Sequence, residues 1–215
     1  MAQTGRTVPE IGKAWVDGGN IVDDYSPAQL ERFKTLQNLD ALSRQGIVEL
    51  DQNFNLRSVA SGRQMMVNPR EVRFTQEWVS YNSSDKVNTL DTTGPTVKTS
   101  TQSLPAIDVM VMPDGRLSSL DNRRLTAAQL YEADSIKVII HAPGDALPDA
   151  RTVRRFAWEN YQPQTWGEAA AVRIYKQGSE FRDAFRQGST VIPTVRNAPN
   201  SQLYSPLLVP PTRRR

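Results

Sequence analysis

The residues best equipped for chemistry lie between Asp114 and Arg124, in the run Asp-Gly-Arg-Leu-Ser-Ser-Leu-Asp-Asn-Arg-Arg. Pro113-Asp114-Gly115 predicts a tight turn, and Asp121 or Asn122 is placed to cap a helix whose first turn carries Arg123 and Arg124. Backbone N–H groups at a helix start lack intrahelical partners, and the helix dipole favours negative charge there. Two guanidinium forks on that turn would add planar, bidentate donors, a combination suited to a phosphate group. The carboxylates Asp121 and Asp114 are the candidates to hold a divalent cation such as Mg2+. His141 is the only imidazole in the chain and therefore the candidate general acid or base.

Composition narrows the chemistry further. The chain of 215 residues has no cysteine, which excludes disulfides, thiolate metal sites, cysteine nucleophiles and iron–sulfur clusters. A single histidine rules out any metal site built on two or three imidazoles. The net charge of +3 conceals an asymmetry: residues 1–115 hold 11 basic and 14 acidic side chains, residues 116–215 hold 15 and 9. Arginine supplies 20 of the 26 cations, which favours recognition of phosphate or carboxylate over simple solubilisation. No apolar run approaches the roughly 20 residues of a membrane span. Residues 1–10 carry no apolar stretch behind a basic start, so no ordinary signal peptide is expected. The expected location is the producing cell's cytoplasm, or a target cell reached through a specialised secretion system.

The elements that must position these residues read as follows. Residues 1–24 form a polar arm. Ser26, Pro27 and Gln29 make a capping pattern for a helix that Gly46 stops. Its apolar residues Leu30, Phe33, Leu36, Leu39 and Leu42 recur at spacing three, so the stripe drifts around the helix and is expected to touch more than one surface. Residues 47–69 read as short extended pieces with a turn at Asp51-Gln52-Asn53. Residues 82–103, rich in Ser, Thr, Asn and Asp around Gly94-Pro95, read as a long surface loop. The order strand, turn, strand, helix, strand follows from Ala106 to His141. Asp149 is expected to cap a basic helix with Arg151, Arg154 and Arg155, and Thr165 with Glu168 forms a capping box for a helix through about Gln177. The five prolines after residue 192 and the terminal Arg213, Arg214 and Arg215 predict an extended tail.

The stretch "LPAIDVMVMPDGRLSSLDNRRLTAAQL" resembles the core of the ParB/sulfiredoxin-like superfamily, and "VNPREVRFTQEWVS", residues 67–80, resembles its opening box. The resemblance spans residues 67–142, about a third of the chain, and is nearest to a branch found as C-terminal cargo of bacterial polymorphic toxins. It implies an α+β fold with a small mixed sheet and flanking helices at both ends. The implied organisation is an N-terminal arm and helical extension over 1–66, the core over 67–150, a basic helical extension over 151–192 and a proline-rich basic tail over 193–215. By this resemblance Asp121, Asn122, Arg123 and Arg124 occupy the Gly-Glu-Arg-Arg box of ParB, whose arginines touch nucleotide phosphates. Arg73, Thr75 and Gln76 would face the same pocket, Thr75 bonding a phosphate oxygen and Gln76 orienting a water or a ribose hydroxyl. Trp78 and Tyr81 could stack on a base. Asn122 stands where ParB has glutamate, which argues against ParB-type CTP hydrolysis, and the missing cysteine removes sulfiredoxin chemistry.

Three functions follow as expectations. The first is a toxin or effector domain with nuclease activity, in which Arg123 and Arg124 hold the scissile phosphate and each contributes a few kcal/mol to the transition state. Its partners would be nucleic acid and a cognate, acidic immunity protein. The second is a binder or hydrolase of free nucleotides using the same arginines. The third is a basic adaptor without catalysis, docking through its tail.

Overall fold

Alternation of apolar and polar residues along two neighbouring segments builds the centre of the fold, which a computed structural model describes for residues 27–84, 86–100, 103–198 and 204. The chain runs through α1 (Pro27–Arg44), β1 (Val48–Leu50), β2 (Leu56–Val59), β3 (Gln64–Val67), β4 (Val72–Phe74) and β5 (Trp78–Ser80). It continues with α2 (Leu90–Ser100), β6 (Ile107–Val111), β7 (Leu117–Ser119), α3 (Asn122–Leu130) and β8 (Ile136–His141). Then come α4 (Ala150–Phe156), α5 (Trp166–Tyr175), α6 (Ser179–Ala184) and β9 (Thr194–Arg196). The expected arm over 1–24 and the terminal arginines lie outside the described residues.

Five strands form a mixed sheet in the order β3-β8-β6-β7-β4. β6 pairs parallel with β8 and antiparallel with β7, while the outer strands β3 and β4 pair antiparallel and parallel with their neighbours. This α+β architecture, with helices on both sides of the sheet sequence, is the one expected. The register sets Ile107 against Val138 and Val109 against Ile140, so one sheet face is continuously apolar and packs with Leu42, Ile47, Val97, Leu125 and Ala128. The other face, bearing Met110 and Met112, packs with Phe156, Trp166, Ala169, Ala170 and Ile174 from α4 and α5. Asp108 pairs with Ile139 and Met110 with His141 in that register. The period of two therefore sends the Asp108 and His141 side chains to the second face, beneath the α4–α5 layer.

The segment read as a loop over 82–103 is corrected: it contains α2. Thr89 and Thr92 cap the helix reciprocally, each backbone N–H donating to the other's hydroxyl at 2.9 and 3.1 Å. The hydroxyls of Thr93, Thr96 and Thr99 donate back to carbonyls one turn earlier, so the polar composition is absorbed inside the helix. Gly94 is required by packing, since a Cβ there would stand 2.0 Å from the ring of Tyr131, the residue that follows α3. Asp91, in the first turn of α2, accepts hydrogen bonds from Tyr81 at 2.6 Å, Tyr131 at 2.7 Å and Tyr204. These bonds, that of Tyr204 foremost, hold the Asp91 carboxyl below its ordinary pKa, and they anchor Tyr204 in a small core with Leu90 and Ala127.

The drifting stripe of α1 meets two surfaces, as expected: Leu42 enters the main core, whereas Leu39 and Asn38 sit on the β6–β7 turn. Asn38 donates to the Asp114 carbonyl at 3.0 Å. Gly115 has φ +74° and lies so close to α1 that an added Cβ would be 3.0 Å from the Leu39 backbone nitrogen. Gly115→Ala is expected to cost about 1–3 kcal/mol through backbone strain and overpacking. Urea denaturation should show this as a lowered midpoint, whereas Gly144→Ala, with nothing within 4 Å of its Cβ, should leave the midpoint in place.

Candidate functional site

Strand β7 delivers the chain through Leu120 to Asp121, the residue before α3, and the expected cap is corrected here. Asp121 makes no side-chain cap on α3. Its carboxylate instead accepts from the Asp108 backbone N–H and from Arg124, both at 2.9 Å, and from Arg155 of α4. Burial works to raise the pKa of this carboxyl, but the charges of Arg124 and Arg155 and the Asp108 N–H together outweigh it and hold it below the ordinary carboxylate range. Arg155 also donates to the Leu120 carbonyl at 3.1 Å and lies 3.6 Å from the Asp108 carboxylate. Asp149 sets its direction by capping α4 as expected, with the Thr152 N–H donating to the carboxylate at 2.7 Å.

Asp108 completes this network with the histidine. His141 Nε2 lies 3.0 Å from Asp108 Oδ1, and its ring stacks on Trp166 with centroids 3.8 Å apart and planes inclined by 15°. Trp166 opens α5, whose capping box forms between Thr165 and Glu168. That helix ends at Tyr175, one turn sooner at most than expected, and carries Arg173 inward. Arg173 donates to Gln76 Oε1 at 2.5 Å, and both Arg173 and Arg155 lie 4.9 Å from the centroid of the Phe156 ring. Burial, reinforced by the charge of Arg155 and only partly offset by Asp121, pushes the Arg173 pKa down to about 10.

On the other side of Asp121 a buried amide network ties α3 to the end of β4. Asn122, 1% exposed, accepts from the Thr75 N–H at 2.8 Å and donates to Thr75 Oγ1 at 2.9 Å and Gln76 Oε1 at 3.1 Å. Thr75 Oγ1 donates to the Ser119 carbonyl at 2.7 Å. Gln76 thus bridges Asn122 and Arg173.

The structure does not converge Arg123 and Arg124 into a clamp. Arg124 reaches the Pro105 carbonyl and Asp121, whereas Arg123 donates to the carbonyls of Asn88 at 2.7 Å and Tyr81 at 3.4 Å. Arg123 instead lines a cleft of about 400 Å³ with Gln76, Trp78, Asn82, Lys86 and Asn197. Arg196 of β9 lies 4.0 Å over the Trp78 ring at its rim. Arg73 is held elsewhere: its guanidinium is bidentate to Asp114 at 2.5 and 2.7 Å, at the turn end of the β6–β7 hairpin.

Asp114 and Asp121 therefore occupy opposite ends of β7, each facing a guanidinium. These residues do not fit the expected Mg2+ site, and among the described residues no group of three or more His, Asp or Glu side chains is disposed to hold a metal ion. Asp108 had no motif to mark it. Its signal was a carboxylate within an apolar strand, two strands from the only imidazole. No family model, curated protein or solved structure significantly matches the chain.

Because the Asp121 carboxyl is depressed in the folded protein, its contribution to stability is present above the ordinary carboxylate pKa of 3.8 and is lost as pH falls through the lower folded-state value. Asp121→Asn is expected to be less stable than the parent at pH 7, by about 1–3 kcal/mol given the partly exposed arginine partners. In urea titrations from pH 7 down to pH 3 the gap should narrow at the acid end.

Proposed function

We propose that this chain is a phosphodiesterase acting on nucleic acid, a ParB/sulfiredoxin-like domain of the kind carried by bacterial toxins and effectors. The observation that carries the reading is the placement of the one imidazole. His141 is bonded to a carboxylate, stacked on Trp166, and set in one network with Arg124 and Arg155 beside the start of α3. A carboxylate at Nε2 favours the Nε2–H tautomer, which leaves Nδ1 to accept a proton. In the proposed reaction His141 Nδ1 takes the proton of the attacking hydroxyl or water as that oxygen bonds phosphorus. The departing oxygen takes a proton from water as the old P–O bond breaks, and His141 returns the proton it took to solvent. Arg155 and Arg173 stabilise the charge on the remaining oxygens; Arg173 suits this role because its hydrogen-bond partner is the neutral Gln76.

The cleft supplies binding. Its volume lies in the usual range for small-ligand sites, and it combines an aromatic ring, two cations and three amides. In this reading Trp78 and the amides of Gln76, Asn82 and Asn197 meet a nucleoside, while Lys86 and Arg123 offset phosphate charge. An inhibitor covering this cationic cleft would be acidic.

Purified protein is expected to degrade plasmid DNA or total RNA. His141→Asn should lower turnover about 10²- to 10⁴-fold while circular dichroism stays unchanged. Lys86→Ala should raise KM and keep kcat. Undiminished cleavage by folded His141→Asn overturns the assignment. Calorimetric binding of a nucleoside triphosphate without loss of polymer would place the chain among mononucleotide binders instead.

A further inference from the structure

Outside the α4–α5 layer, aromatic rings and cations alternate on a surface that the proposed chemistry does not use. Trp158 and Tyr161 close a two-residue turn through paired backbone hydrogen bonds of 3.0 and 2.9 Å. Glu159 inside it has φ +51°, a left-handed conformation that glycine or asparagine would adopt at lower cost. This turn sets Trp158 against Tyr175, with ring centroids 5.0 Å apart. Arg182 lies 5.1 Å over the Tyr175 ring, and Lys176 Nζ donates to the Ala157 carbonyl at 2.7 Å. Tyr161 and Tyr175 remain 47% and 52% exposed.

Five cations stand near one another in the chain, Lys176 and Arg182 with the exposed Arg151 and Arg154 of α4 and Arg186 beyond α6, against four carboxylates, of which Asp183 lies 3.4 Å from Arg182 and Glu168 bonds Tyr161, the others being Glu159 and Glu180. The surface borders the candidate site at Lys176, which follows Arg173 by three residues and so leaves α5 on the same side as that arginine. The charge of Arg173 and burial both lower the Lys176 pKa, burial more.

We infer that Trp158, Tyr161 and Tyr175, with Lys176 and Arg182, form a docking surface for single-stranded nucleic acid that leads the strand toward Arg155 and Arg173. The inference rests on the phosphodiesterase reading and names its substrate as unpaired. Stacked aromatics take bases of any sequence, but only where the bases are free of a duplex, and the interleaved cations follow the phosphates. An aliphatic protein partner would have no use for cations at this spacing.

The test uses the full chain carrying His141→Asn, which keeps oligonucleotides intact, and fluorescein-labelled 20-mers of DNA and RNA read by anisotropy. Single strands should bind more tightly than the matching duplex. Trp158→Ala with Tyr175→Ala should weaken single-strand binding by about tenfold or more while leaving duplex binding in place. Tyr175→Leu with Lys176→Ala, confined to exposed positions, guards against loss of the fold and should weaken binding in the same direction. It should also reduce the salt slope of log K by about one. In the parent with His141 present, these variants should keep kcat on a dinucleotide too short to reach the surface. Unchanged single-strand affinity in folded variants, or a surface that only self-associates or binds acidic protein, overturns the inference. Turnover that survives His141→Asn overturns the catalytic assignment instead, and leaves the binding comparison intact.

Discussion

The carboxylate of Asp121 is the joint on which the rest of the site hangs. One side chain receives the first turn of α3 through Arg124, the start of β6 through the Asp108 N–H, and α4 through Arg155. An anion buried this deeply costs several kcal/mol to desolvate unless charge-assisted hydrogen bonds surround it, and here they do. The geometry that follows is narrow. With Arg155 fixed on Asp121, its other nitrogen comes to Asp108, and Asp108 in turn holds the histidine.

The cations at the two ends of β7 and on α5 divide into two kinds. Arg73 and Arg124 are neutralised by Asp114 and Asp121 and serve as braces between strands and helices. Arg173 is bonded to an amide, lies over a phenylalanine ring and pays for its burial with a lowered pKa, so its charge is not cancelled by a carboxylate in contact. An incoming phosphate would meet that second kind on more favourable terms.

Local patterns made much of the scaffold legible. Period-two alternation located β6, the short apolar run ending at His141 located β8, the turn residues located the hairpin, and the cap at Asp149 and the box at Thr165 located α4 and α5. The helix α2 was hidden because two threonines replaced the usual acidic partner of a capping box and because Gly94-Pro95 reads as a breaker. Its glycine answers to Tyr131 across the interface, a tertiary reason that no window of sequence displays. At the site the sequence marked Asn122, Thr75 and Gln76, which bond one another, and His141, but not its partners Asp108 and Trp166. Whether Arg123 and Arg124 would meet depended on carbonyls at Tyr81, Asn88 and Pro105, and backbone groups leave no trace in residue type. Strand β3 begins before residue 67, where the core was expected to open, yet it forms an edge of the main sheet.

The pairing of β5 with β9 carries a consequence for biosynthesis. Trp78–Ser80 finds its ladder partner at Thr194–Arg196, and Asp91 receives one of its three phenols from Tyr204. A nascent chain leaving the ribosome must hold both vacancies open until Tyr204, 113 positions beyond Asp91, has been translated, and such distant closures are slow. One wall of the cleft, where Asn197 stands, is therefore completed only after β9 has emerged, later than the central strands β6, β7 and β8.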